Sequence, residues 1–232
     1  MMKAKPMQKV KTFLEKTPNA MLCVLGAVVF LTAFYFLRSR TPLDKIWLPT
    51  TMNNDEALYN RQVVSVITHG GPQGYFGYQE STADIGRFST WGPFLIWAYA
   101  IPGFLFGSSV NVVLWVNILF IALGIAVFAH SAKLSWWQCI VLCGTLFAVT
   151  QPISSCFSGA SEGLHYALTL VLIGGAIGME RTGKRGYFLL TAAACVLETI
   201  VRPYTLLFWV FPLMAIWKDK KTTLRLLCAY GG

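Results

Sequence analysis

Two adjacent acids, Asp55 and Glu56, open the stretch "DEALYNR" (55–61), with Tyr59 four residues after Asp55. A positioned carboxylate can take a proton from an attacking hydroxyl. Carboxylates can also hold Mg²⁺ or Mn²⁺ through oxygen. A further acid, Glu162, lies in "SGASEGL", and a cation, Arg202, lies in "VRPY". Guanidinium forks suit phosphate oxygens, and Arg87 is a second candidate for that task. Glu198 precedes Arg202 by four residues, a spacing that lets two side chains meet on one helix. A neutral structural pair therefore competes with phosphate binding as the reading of Arg202. His69 and His165 each stand alone in the sequence and are read as non-ligands. Glu162 and His165 have the E-x-x-H spacing of di-metal bundles, but a single copy does not make a site. The plainest reading of Asp55 and Glu56 is also local, since the macrodipole favours acids in a helix's first turn.

The residues around these groups are overwhelmingly apolar. The 232-residue chain is 55% hydrophobic and 12% charged, and its mean hydropathy is +0.56. Soluble domains carry about 25% charged residues, so the composition is that of an integral membrane protein. The net charge of +9 does not point to nucleic acid. The positive residues cluster beside apolar segments, where they set orientation and meet anionic lipid. Six cysteines are present with no C-x-x-C and no His/Cys cluster, which supports neither a zinc site nor a disulfide framework. Cys139 and Cys143 share a helix face as small packing residues.

Apolar segments run over 20–38, 91–107, 110–130, 136–152, 163–179, 187–201 and 204–217. Residues 1–19 form a basic, cytoplasmic N-terminus with five lysines. No small-residue cleavage site follows, so segment 20–38 is a retained span. Loop charge then fixes directions. "WKDKKTTLR" (217–225), "MERTGKRG" (179–186) and "HSAKLS" (130–135) belong inside; "VRPY" and "SSCFSGASEG" (154–163) belong outside. Segment 110–130 must therefore start outside. That leaves 91–107 over, with Pro93 and Pro102 inside it. Proline breaks the helix ladder, and Trp91, Phe94, Trp97 and Tyr99 suit an interface. It is read as a juxtamembrane helix. Six spans result, and the residues up to Gly232 read as the start of a seventh. The chain is then either a fragment or the N-terminal module of a longer protein.

The large outer loop, 39–109, carries the acids. Asn53 and Asn54 are good N-caps for a helix that ends at Gly70, Gly71 and Pro72. Tyr59, Val63, Val66 and Ile67 line its apolar face. "GPQGYFGYQESTADIGRFSTWGP" follows, a glycine- and tyrosine-rich segment suited to covering a substrate.

This order of elements resembles the GT-C superfamily of membrane glycosyltransferases, which use a polyprenyl-phosphate-linked sugar, and in particular the N-terminal module of protein mannosyltransferases. The resemblance rests on "DEALYNR" at the head of a juxtamembrane helix, the Pro-containing "WGPFLIWAYA" (91–100), Glu162 in the next outer loop, and "VRPY" at the outer end of a later span. Many relatives carry Asp where this chain has Glu162. The resemblance implies an all-α polytopic bundle of about six to seven spans with a large outer loop, occupying 20–232. It implies sugar transfer to an acceptor hydroxyl on a lipid, glycan or protein at the periplasmic or lumenal side. Asp55 would be the base, and Glu56 would orient the acceptor or a metal. Tyr59, Arg87, Glu162 and Arg202 would bind substrate. Mg²⁺ or Mn²⁺, if used, would sit on Asp55 and Glu162. A bacterial inner membrane with the loop in the periplasm is expected, with an endoplasmic reticulum membrane as the alternative. Two rival functions stand beside this one: a transporter or flippase of a lipid-linked substrate, and a non-catalytic membrane module of a larger assembly.

Overall fold

The computed structural model describes residues 18–40, 55–72, 75–76, 83–84, 88, 92–109, 111–148 and 161–218. In chain order these form α1 (Asn19–Ser39), α2 (Asp55–His69), β1 (Tyr75–Phe76), β2 (Ala83–Asp84), α3 (Gly92–Gly103), α4 (Val112–Ala132), α5 (Trp136–Ala148), α6 (Glu162–Thr182), α7 (Arg185–Val201), a 3₁₀ helix (Pro203–Trp209) and α8 (Val210–Lys218). Within the described residues the fold is all-α apart from one two-residue antiparallel ladder. It pairs Tyr75 with Asp84 and Phe76 with Ala83. Two helices, α4 and α6, are long and apolar enough to cross a membrane. Shorter apolar stretches occupy Asn19–Phe34, Pro93–Gly103 and Pro203–Met214.

Local chemistry sets the helix ends. Ser135 and Gln138 form a reciprocal capping box at the start of α5: the Gln138 amide reaches Ser135 Oγ at 3.4 Å, and the Ser135 amide reaches Gln138 Oε1 at 2.8 Å. Gly183 closes α6 at φ +63°, its N–H donating to the Met179 carbonyl at 2.8 Å, the left-handed stop that glycine favours. Helix α3 ends one residue beyond Pro102. The segment after Arg202 departs from a continuous α-helix. Pro203 brings no N–H, and the Thr205 amide and hydroxyl both bond the Arg202 carbonyl, at 2.9 and 2.7 Å. That tight closure starts seven residues of 3₁₀ winding before α8 begins.

Helix α6 is the centre of the bundle, packed on α4 on one side and α7 on the other. Both seams are made close by glycine. A Cβ on Gly124 of α4 would lie 2.8 Å from the Ala167 Cα, and one on Gly174 of α6 would lie 2.7 Å from the Phe128 Cα. These backbones touch where no side chain intervenes, the usual device for helices that apolar burial cannot drive together. Helix α1 packs on α4 and α5. Cys139 and Cys143 place their thiols 3.5 Å from the Asn19 and Cys23 carbonyls, so the two cysteines are packing residues of that seam. The Asn19 amide bonds the Leu134 carbonyl, and the Arg181 guanidinium bonds the Ala132 carbonyl. The start of α1, the end of α4, the start of α5 and the end of α6 thus share one end of the bundle.

Beside its apolar core, the bundle buries several polar side chains and exposes many large apolar ones. Asn117, Thr191 and Glu198 are buried, while Val29, Leu189, Leu207 and Leu213 are exposed. Exposed apolar surface on this scale marks contact with something other than water.

Gly174→Val should lower the unfolding midpoint of the detergent-purified protein, at a cost of about 1–3 kcal/mol for overpacking a backbone contact. Gly26→Ala in α1, where a Cβ meets nothing within 4 Å, should leave the midpoint unchanged or raise it. Equal midpoints for the two variants would refute the close-seam account.

Candidate functional site

The opposite end of the bundle collects the residues that could do chemistry. Helix α2 lies on α3, and both lie on the start of α4. Tyr59, Val63 and Val66 of α2 share one core with Leu95 and Ile96 of α3, Val112 and Val116 of α4, Leu164 of α6 and Val201 of α7. The acid-headed helix is therefore anchored directly over the start of α6 and the end of α7. Its expected apolar face is the face that packs: Tyr59, Val63 and Val66 are buried and Ile67 is half-buried.

A hydroxyl ties these layers together. Tyr99 of α3 donates to Asn117 Oδ1 of α4 at 2.6 Å, and its oxygen accepts the Leu164 amide of α6 at 3.1 Å. Leu164 belongs to the first turn of α6, whose amides have no acceptor within the helix. Ser161 at the N-cap makes no side-chain capping bond, so Tyr99 supplies the missing acceptor from another helix. The Tyr99 ring sits edge-on to Phe120, centroids 5.2 Å apart.

Beside this node, α6 and α7 face each other through a ladder of polar pairs. At its outer rung, Arg202 Nη2 donates to Glu162 Oε1 at 2.9 Å, and Nη1 donates to the Tyr204 hydroxyl at 2.8 Å. Burial pulls the Arg202 guanidinium toward the neutral form, but the bonds to Tyr204 and Glu162 outweigh it and hold its pKa above the ordinary value. Arg202 thus stays charged across the working pH range. One turn deeper, His165 Nδ1 lies 2.6 Å from Glu198 Oε2, and Thr169 Oγ1 donates to Glu198 Oε1 at 3.0 Å. Glu198 is 0% exposed.

This arrangement corrects two sequence expectations. Glu198 and Arg202 do not pair with each other, although the Arg202 amide bonds the Glu198 carbonyl at 2.7 Å. Helix α7 ends at Val201, and Arg202 adopts extended backbone at φ −141°. Its side chain therefore leaves the helical line and reaches Glu162, while Glu198 turns to α6. His165 does not stand alone either; it is the partner of Glu198.

The remaining candidates fall as follows. Asp55 is the first residue of α2, and its side chain lies outside the described residues, as do Arg87, Asn53 and Asn54. Glu56 and Tyr59 are buried in α2. Glu162 and Arg202 are brought together. The cation site expected on Asp55 and Glu162 needs the Asp55 side chain, which lies outside the described residues. Among the described residues no group of three or more His, Cys, Asp or Glu side chains converges, and Glu162 is already neutralised by Arg202. Sequence reasoning missed Tyr99, Asn117 and Thr169. The available signal was an acid within an apolar helix, Glu198, which demands a partner on a neighbouring helix.

No family model matches the chain, and no characterised protein or solved structure matches it.

Tyr99→Phe removes the acceptor for the Leu164 amide and should destabilise the protein by about 1–3 kcal/mol. Hydrogen exchange should localise the loss, with the Leu164 amide exchanging faster and mid-α6 amides little changed. Uniform acceleration along α6, or none, would contradict the capping role.

Proposed function

We propose that this chain is a multi-pass membrane glycosyltransferase of the GT-C type. It moves a sugar from a polyprenyl-phosphate donor to an acceptor hydroxyl at the outer face of a bacterial inner membrane. One observation carries the reading: the acid-headed helix α2, the Glu162–Arg202 pair and the start of α4 meet around a common core at one end of the bundle. That grouping unites the motifs on which the family resemblance rests.

The dimensions support several spans. A 21-residue helix such as α4 or α6 is about 31 Å long at 1.5 Å per residue, against a hydrocarbon core of about 30 Å. The 3₁₀ segment rises about 2.0 Å per residue, so with α8 it reaches nearly the same length in fewer residues. Exposed apolar side chains on α1, α5, α7 and α8 suit lipid contact. Six spans, from α1, α4, α5, α6, α7 and the 3₁₀–α8 unit, follow from this reading.

In the reaction, Asp55 takes the proton of the acceptor hydroxyl as its oxygen bonds the anomeric carbon. The bond from that carbon to the phosphate oxygen breaks, and its electron pair stays on the phosphate. Glu56 and Tyr59 shape the acceptor side, and Arg87 and Arg202 meet phosphate charge. Arg202 is suited to this because it is permanently charged and partly desolvated, where electrostatic stabilisation is strongest. Glu162 holds it in place.

A transporter of a lipid-linked substrate is the second reading, favoured by the buried Glu198 and its His165 partner. Glu198 lies one turn from the end of α7, whereas transport sites lie near the bilayer midplane.

Asp55→Asn should reduce sugar transfer in native membranes by about 10²–10⁴-fold, the range for loss of a general base, with polyprenyl-phosphate sugar accumulating by mass spectrometry. An unchanged product profile from a folded, inserted variant would sink the glycosyltransferase reading. Arg202→Gln should weaken donor use by roughly 10–150-fold, the equivalent of one hydrogen bond to a charged group; acceptor dependence should stay unchanged.

A further inference from the structure

We propose that His165, held by Glu198, is a phosphate-binding residue, and that with Arg202 it forms a site for a lipid phosphomonoester along the α6–α7 seam. The inference deepens the glycosyltransferase reading and rests on it for the identity of the lipid. The site itself is argued from the seam.

The imidazole uses Nδ1 to bond Glu198 at 2.6 Å, so Nε2 is the nitrogen left to meet a ligand. The His165 side chain is 20% exposed, while Glu198 is fully buried. A buried carboxylate is tolerated when paired and hydrogen-bonded. Glu198 has Thr169 on one oxygen and His165 on the other. With Nδ1 engaged, Nε2 is the second hydrogen-bonding nitrogen of the ring. Side chains on a helix tilt toward its N-terminus, so His165 leans toward the Glu162–Arg202 rung.

The two rungs are three residues apart on α6, or about 4.5 Å along its axis. A single phosphate group can bridge that interval with one hydrogen bond at each end. Arg202 spends two N–H groups, on Glu162 and Tyr204; a guanidinium has five. When the sugar leaves, the phosphodiester becomes a phosphomonoester and gains negative charge on the oxygen that keeps the electron pair. Donors held at the two rungs stabilise the gain. The segment that follows Arg202 supplies a place for an apolar tail. An open groove of about 590 Å³, lined by Leu206, Val210, Leu213 and Met214 among others, starts four residues after Arg202. The 3₁₀ segment runs back along α7, with Trp209 Nε1 donating to Thr199 at 3.1 Å.

The test is binding of a polyprenyl monophosphate to the purified full chain in nanodiscs, followed by ³¹P NMR and native mass spectrometry. Two substitutions separate anchoring from ligand contact. The Asn amide nitrogen overlays Nδ1, so His165→Asn keeps the Glu198 bond and removes the nitrogen at the Nε2 position. The Gln amide nitrogen overlays Nε2, so His165→Gln does the reverse. His165→Asn should weaken binding by about tenfold or more with an unchanged unfolding midpoint. His165→Gln should bind within about threefold of wild type. Wild-type affinity in a folded His165→Asn protein would overturn the proposal. So would equal affinity for the polyprenyl alcohol, or competition by equimolar inorganic phosphate, which would assign the site to the free anion. His165-dependent lipid phosphate binding without any sugar transfer would uphold the site and remove the glycosyltransferase reading. Sugar transfer without His165-dependent binding would do the opposite.

Discussion

The first turn of α6 presents amide N–H groups that have no acceptor inside their own helix. It does so where the surroundings are packed side chains rather than water. The Tyr99 oxygen, 3.1 Å from the Leu164 amide, meets one of these demands from a different helix. Because Tyr99 also reaches Asn117, α3 is fixed on α4 and α6 together. Helix α2 packs on α3 and on α4, so that hydroxyl and the shared apolar core together set the α2 head beside the Glu162–Arg202 pair. Gly163 is part of the same constraint. A Cβ there would run into the Asn117 side chain, so glycine lets the asparagine reach the seam.

Away from this node, the bundle is held by surface fit and by polar pairs. Gly124 and Gly174 bring α4 and α6 into backbone contact, and Gly178 lets α6 approach Tyr187 of α7. The polar ladder adds direction to the second seam. Its acidic and basic residues alternate: acid above base on α6, base above acid on α7. A slip of α7 by one turn would bring Glu198 beside Glu162 and leave His165 without its acid. Such pairs seldom add much net stability once desolvation is counted, but mismatched ones are costly. The ladder therefore fixes register more than it strengthens the fold.

Much of the helical framework was legible because it is written in long apolar runs with clear stops. Segments 110–130, 163–179 and 187–201 correspond to α4, α6 and α7, within a few residues at each end. The Pro102 stop and the packing role of Cys139 and Cys143 could be read in the same way. What escaped depends on approach between helices, which no local pattern encodes. The i,i+4 rule pairs Glu198 with Arg202 only if the helix continues, and the extended backbone at Arg202 cancels it. His165 looks solitary along the chain because its acid lies 33 residues away. Tyr99 reads as one more interfacial aromatic until its hydroxyl meets α6. The buried Asn60 and Gln62 show that α2 is less simply two-faced than its sequence suggests.

The parallel pairing of α4 with α6 has a consequence for the order of assembly. Two parallel neighbours need a return segment between them, and α5 makes that return while packing on α1 rather than beside the seam it connects. The central contact therefore cannot form as each hairpin emerges during synthesis. Helix α4 must wait, its Gly124 face uncovered, until residues beyond Ala167 have been made. During that interval α1 is the neighbour already available to it. Helix α1 thus serves as a holding surface for α4 before the functional end of the bundle can be built.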